Sequence, residues 1–277
     1  MDEYICDRCN QAFDYDRYLA HKSRKVPCSS VKPPVVNNNI TLNEDLLSSD
    51  NPLIDQYLNT PLPPFDINSL LKPAEKDNFS MILTASRRSG KTTLLSYLYP
   101  LWQQHFDIVV TFSYSIHNKT YNFVQEPKFD NYYPDALKDI FKLQRKTSNR
   151  LKILIIFDDL VSSKVKDDDD ILQAYIRGRN SNISIVISTQ ILTLISRKNR
   201  GNSDFIFIGK TNSSENRLTL IESLLMNAVK TPETIRNKTQ KLQFLDKWLM
   251  NHTEDYNFIV MDCYNDKESL FNFKVNK

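Results

Sequence analysis

Ala85-Ser86-Arg87-Arg88-Ser89-Gly90-Lys91-Thr92-Thr93 follows directly on the apolar run Met81-Ile82-Leu83-Thr84. The order predicts a strand, a phosphate-cradling loop and the first turn of a helix. Backbone N–H groups of such a loop point inward at an anion, and the helix dipole adds positive potential there. Lys91 is placed to reach the β- and γ-phosphates of a nucleotide, and the Thr92 hydroxyl to bind Mg²⁺. Gly90 lets the backbone approach the phosphates where a Cβ would collide. Ala85 stands at the place of the usual first glycine, a mild departure from the pattern.

A second stretch, Lys152-Ile153-Leu154-Ile155-Ile156-Phe157-Asp158-Asp159-Leu160, is an apolar run ending in two carboxylates. It reads as a buried central strand of a parallel sheet. Its acids emerge at the C-terminal end of the strand, the edge where ligands bind in open α/β sheets. Asp158 is expected to hold Mg²⁺, directly or through water. Asp159 is expected to polarise the water that attacks the γ-phosphate. Together the two stretches predict hydrolysis of a nucleoside triphosphate with Mg²⁺.

The chain has 277 residues, enough for one α/β domain of that kind and a small appendage. Its 36 Lys+Arg and 33 Asp+Glu leave a formal charge of only +3, so any grip on nucleic acid must come from local patches. No apolar stretch approaches the ~18 residues of a membrane span, and the charged N-terminus lacks a signal-peptide core. The expectation is a soluble chain that is not secreted and has no membrane partner. Three of the four cysteines fall within the first 28 residues, which is metal-site usage and not a disulfide framework.

Residues 1–30 form one expected unit, with Cys6, Cys9, His21 and Cys28 spaced as Cys-x2-Cys-x11-His-x6-Cys. That set suits tetrahedral Zn²⁺, with Phe13 and Leu19 supplying an apolar core too small to fold without metal. Arg17, Lys22, Arg24 and Lys25 can contact phosphates, or can equally be a solvated face or a protein-docking surface. Residues 31–76, rich in Pro and Asn, read as a linker, with a short helix within 42–58 expected to pack on the core or on a neighbouring subunit. Residues 77–277 alternate strand and helix. Strands are expected at 81–85, 107–112, 153–157, 183–190, 204–208, 258–262 and 270–275, the last two as an antiparallel edge hairpin. Helices are expected at 91–104, 134–147, 171–177, 215–226 and 232–250.

Gln190 ends the Ile/Val strand. Burying its amide without a partner would be costly, which points to a contact with the attacking water or phosphate; capping the strand end is the other reading. Arg177 and Arg179 close the preceding helix. Either can serve a neighbouring subunit as an arginine finger, or can bind the sheet edge or DNA phosphates.

The order Ser89-Gly90-Lys91-Thr92, Phe157-Asp158-Asp159, Arg177-Gly178-Arg179-Asn180 and Ile187-Ser188-Thr189-Gln190 resembles the HerA/FtsK superfamily of DNA-pumping ATPases. Within it, the chain is most similar to the poxvirus-type genome-packaging ATPases of large DNA viruses, virophages and related transposons. The resemblance covers roughly residues 60 to 277. It implies an α/β, RecA-like P-loop NTPase fold of the additional-strand type with a mainly parallel central sheet. It also implies a homo-oligomeric ring, commonly a hexamer, that drives double-stranded viral DNA into a capsid, with the capsid protein as a further partner. The corresponding location is the host cytoplasm or nucleus at sites of virion assembly, or the virion itself. Asp159 stands where many members carry Glu, one methylene shorter. Residues 21–28 resemble a finger variant of giant-virus proteins, with Cys28 replacing the last His of the two-Cys, two-His finger and one residue fewer before His21.

Other readings share parts of this pattern: a ring ATPase acting as helicase or conjugation-type pump, a zinc-finger DNA-binding nucleotide switch, and a nucleotide kinase. The kinase is disfavoured by the paired carboxylates, Gln190 and the finger. Two basic groups are candidate DNA contacts that bind phosphates without reading sequence. One is Lys138, Lys142, Arg145, Lys146, Arg150 and Lys152; the other is Arg197, Lys198 and Arg200. The run Asp167–Asp170 reads as a solvated loop, because adjacent carboxylates repel and no other ligand type interrupts them.

Overall fold

The computed structural model describes residues 4–5, 12–13, 52–72, 78–160, 169–264 and 269–275. The chain divides into two compact units, Met1–Leu42 and Asn43–Lys277. In the first, β1 (Tyr4–Ile5) pairs antiparallel with β2 (Ala12–Phe13), Tyr4 opposite Phe13. The four expected zinc ligands lie outside the described residues.

The second unit runs in the order α1 (Pro52–Asn59), β3 (Ser80–Thr84), α2 (Lys91–His105), β4 (Ile108–Ser113), β5 (Lys128–Phe129), α3 (Pro134–Lys146), β6 (Ile153–Asp158) and α4 (Asp169–Arg177). It continues with β7 (Ile183–Thr189), α5 (Arg197–Gly201), β8 (Phe205–Ile208), α6 (Ser214–Leu220), α7 (Lys238–His252), β9 (Asn257–Asp262) and β10 (Ser269–Lys274). Helix α6 runs on through a π turn, Ile221–Leu225, into Met226–Ala228. The eight strands form one sheet in the order β10-β9-β8-β3-β7-β6-β4-β5. From β5 to β8 every pairing is parallel; β9 and β10 are antiparallel additions at one edge. Strand β7 lies between the phosphate-loop strand β3 and the acid-tipped strand β6, the additional strand that the resemblance implies.

The parallel strands are rich in β-branched and aromatic residues and are buried along nearly their whole length, as expected for a sheet covered on both faces. Side chains alternate between the faces. Met81, Leu83, Leu154, Ile156, Val186, Phe205 and Phe207 share one core with Leu94, Leu98 and Trp102 of α2. This packing fixes the start of α2 over the C-terminal edge of the sheet, where the functional loops gather.

Two boundaries differ from the sequence expectation. Residues 52–72, within the expected linker, are part of the second unit. Phe65 and Leu70 join its core, and Phe65 meets Phe205, Phe207 and Phe271 edge-on with ring centroids 6.0, 5.7 and 5.7 Å apart. Pro64 also bridges to Asn272 of the edge strand. The Pro-rich composition is that of a chain fixed in an extended path, and the aromatic residue within it anchors that path. The second difference is α7, which begins at Lys238 and not at Pro232. The Asn237 side chain accepts from the Gln240 N–H as its N-cap, and Pro232 instead opens a turn closed by the Ile235 N–H.

Candidate active site

The loop after β3 is held from both sides. The Ala85 N–H donates to the Thr189 carbonyl at 3.3 Å, the Ser86 N–H donates to the Lys210 carbonyl at 2.9 Å, and the Ser86 hydroxyl accepts from the Asn212 N–H at 2.9 Å. Arg88 (φ 63°) and Gly90 (φ 90°) take left-handed backbone, which curls the chain into the helix. The first-turn N–H groups of α2, from Lys91 to Thr93, have no intrahelical acceptor and are available to an anion. Ala85 in place of a glycine is explained by its neighbour. A Cβ added to Gly209, beyond β8, would lie 2.9 Å from the Ala85 methyl, so the second glycine makes room for the first alanine. Gly90 is irreplaceable for another reason: besides its positive φ, an added Cβ would meet Tyr256 Cδ1 at 2.5 Å.

Lys91 folds back on this loop. Its Nζ donates to the Ala85 carbonyl at 2.9 Å and the Ser86 carbonyl at 3.3 Å, and stands 3.8 Å from Asp159 Oδ2. Burial holds its ammonium below the usual lysine range, opposed by the charges of Asp159 and Asp158. Asp158 is 1% exposed. Burial raises its carboxyl above the usual range, and repulsion from Asp159 adds to this. The hydroxyls of Ser188 and Tyr121 and the charge of Lys91 oppose the shift. The Ser188 hydroxyl faces Asp158 across the β6–β7 ladder without a hydrogen bond of good geometry. Tyr121, from the loop after β4, donates its phenol proton to Asp158 Oδ2.

Asp159 leaves the sheet in left-handed backbone (φ 51°), its N–H donating to the Ser188 carbonyl at 3.0 Å. Backbone of this kind in a non-glycine residue is strained and clusters at functional sites. Gln190 Nε2 donates to Asp159 Oδ2 at 3.1 Å. Gln190 is exposed and not buried as the strand pattern suggested, because β7 ends at Thr189 and the next residue turns out of the sheet. The edge thus joins Lys91, Asp159 and Gln190 through one carboxylate, with Asp158 beside them. The fold is that of a P-loop NTPase.

Comparison with known structures agrees with this assignment. The genome-packaging NTPase B204 from Sulfolobus turreted icosahedral virus 2 is similar over 72% of this chain and 98% of its own. In complex with ATP-gammaS it gives a TM-score of 0.51 at 15% identity, and in complex with AMP 0.53 at 14% identity. At these identities the likeness shows the shared fold. No protein-family model matches the sequence, and no curated protein matches it significantly.

The oxygen donors here fit Mg²⁺, a hard cation that takes a carboxylate or two beside phosphate and water. The Thr92 hydroxyl and the buried Asp158 carboxylate supply such donors, and a carboxylate so deeply buried calls for a positive partner.

The arginines are elsewhere. Arg177 ends α4 and is exposed; Arg179 belongs to the 3-10 turn Gly178–Ser181. Both precede β7, whose seven residues put them about 20 Å from Gln190 at its other end. Within one chain, neither is brought to the site. Arg177 instead lines a cleft of about 370 Å³ with Lys138, Phe141, Arg145 and Ser181. Arg217 is locked in an ion pair with Asp246, Nε–Oδ1 2.5 Å and Nη2–Oδ2 3.1 Å, and also donates to the Thr211 and Asn212 carbonyls. Arg197 and Arg200 line a cavity of about 1060 Å³ with Ile206, Glu222 and Met261. The first basic group is partly neutralised on its own helix, by Lys138–Asp135 at 3.7 Å and Lys142–Asp139 at 2.7 Å.

Tyr121 and Tyr256 are the site residues that the sequence reading missed. Each lies in a connection between strands or helices and belongs to no motif, and only the fold brings it to the site.

Proposed function

We propose that this chain is an ATP-hydrolysing motor that moves double-stranded DNA, as a genome-packaging ATPase of the poxvirus type within the HerA/FtsK superfamily. The observation that carries the reading is the convergence of Lys91, Asp158, Asp159 and Gln190 at one sheet edge, from three strands among which β7 is the inserted one. Each has a distinct task there. The α2 N-terminus and Lys91 bind and orient the triphosphate. Thr92 and Asp158 would hold Mg²⁺, which neutralises charge developing on the phosphates. Asp159 takes a proton from the attacking water, and the Gln190 amide fixes that carboxylate and the water beside it.

The DNA cargo is supported by the likeness to B204, whose name gives genome packaging as its role; the ring is what the resemblance to the HerA/FtsK superfamily implies. Because Arg177 and Arg179 stand an entire strand away from their own site, an arginine finger at these positions would act on the neighbouring subunit. Zinc bound by Cys6, Cys9, His21 and Cys28 is supported by their spacing in the sequence. Work at sites of virion assembly follows from the same reading.

The test separates binding from turnover. Lys91→Ala should lose hydrolysis and weaken nucleotide binding, whereas Asp159→Asn should bind ATP normally and lose turnover by about 10²-fold or more. Parent-rate hydrolysis by Asp159→Asn would refute its role as water activator.

A further inference from the structure

Tyr121 has no part in the chemistry assigned above, yet it is bonded to Asp158, one of the residues that would hold the metal. It closes the 3-10 turn Lys119–Tyr121 and is 6% exposed. Its ring stacks on Phe123 with centroids 5.9 Å apart, and Phe123 in turn meets Tyr99 of α2 edge-on at 5.4 Å. The phenol donates to Asp158 Oδ2 and so occupies one oxygen of that buried carboxylate. Its O–H offers that carboxylate the positive end that a buried acid requires.

We propose that Tyr121 is a placeholder for the cation: its O–H occupies Asp158 Oδ2 and gives way when Mg²⁺ arrives with the nucleotide. The inference rests on the NTPase reading of this edge. It gives the loop after β4 a task that its sequence does not advertise. That loop reports whether the site is loaded, because the phenol cannot bond Asp158 in the same way before and after metal entry. It also sets an affinity threshold, since Mg²⁺ binds only by replacing a hydrogen bond to a charged group. Such a bond corresponds to about tenfold to a hundredfold in an equilibrium constant.

Tyr121→Phe keeps the ring and its packing and removes only the O–H. A fluorescent, non-hydrolysable ATP analogue titrated with Mg²⁺ should show a half-saturating Mg²⁺ concentration about tenfold or more lower in Tyr121→Phe than in the parent. Analogue affinity in EDTA should be the same in both. An unchanged or higher Mg²⁺ requirement would overturn the proposal, the higher value marking Tyr121 as a mere support for Asp158. A second measurement reads the displacement itself. In protein labelled with 3-fluorotyrosine, the resonance missing from Tyr121→Phe should shift when Mg²⁺ and analogue are both present and stay in place with analogue in EDTA. A resonance unmoved by the metal complex would also overturn it. Failure of the parent protein to bind the analogue at all would instead refute the NTPase reading and this inference with it.

Discussion

Gly90→Ala tests how tightly the phosphate loop is built into its surroundings. Two costs are separable. Gly90 has φ 90°, and an L-residue in left-handed backbone costs about 1–2 kcal/mol. Its new Cβ would meet the ring of Tyr256, 2.5 Å from Cδ1 and 3.2 Å from Cε1. The contact falls on the body of the ring and not on a flexible tip. Tyr256 cannot simply withdraw. It lies in left-handed backbone itself (φ 62°), after Asp255 at φ 50°, and its carbonyl accepts the Val275 N–H. Overpacking of this kind costs about 1–3 kcal/mol, so Gly90→Ala should destabilise the protein by about 2–5 kcal/mol. In a Tyr256→Ala background only the backbone cost should remain. Urea unfolding of the four proteins closes the cycle, and the expected coupling is about 1–3 kcal/mol. Equal costs of Gly90→Ala in both backgrounds would refute the argument that Tyr256 braces the loop.

Arg217→Ala should cost about 3 kcal/mol, because it leaves Asp246 charged and nearly buried, their side chains being 13% and 11% exposed; Arg217→Leu with Asp246→Leu should cost less, by thermal or urea unfolding. One Zn²⁺ per chain is expected in protein purified without chelator, and elemental analysis that finds none would remove the finger from the account. Asp159→Asn mixed with Arg177→Ala or Arg179→Ala should regain hydrolysis, because a trans arginine is worth on the order of 10³–10⁵ in rate; verified mixed rings that stay inactive would assign both arginines to structure or DNA contact.

The parts of this molecule that were legible in its sequence are those where one physical demand governs a whole run. Ile153–Asp158 and Ile183–Thr189 are buried on both faces, so both are built on Ile, and their C-terminal ends are marked by the polar chemistry at the edge. The edge hairpin of β9 and β10 was readable in the same way. What escaped depends on single residues. Tyr121 and Tyr256 carry no period and no motif. Phe65 sits among prolines, where composition suggests a tether although one aromatic anchors the segment. The start of α7 is set by the single side chain of Asn237, which caps it and leaves Pro232 in a turn. Gln190 was placed correctly at the strand tip, but the turn after Thr189 exposes it, so its partner is Asp159 and its constraint is geometric instead of desolvation.

The central claim is that ATP hydrolysis at this edge is coupled to movement along double-stranded DNA. The most direct test is the steady-state ATPase rate of the full chain with and without double-stranded DNA, with particle size followed in the same samples by light scattering. The account predicts ring-sized particles whose ATPase rate rises several-fold on adding DNA and is lost in Lys91→Ala. An ATPase rate indifferent to DNA in assembled particles would contradict it.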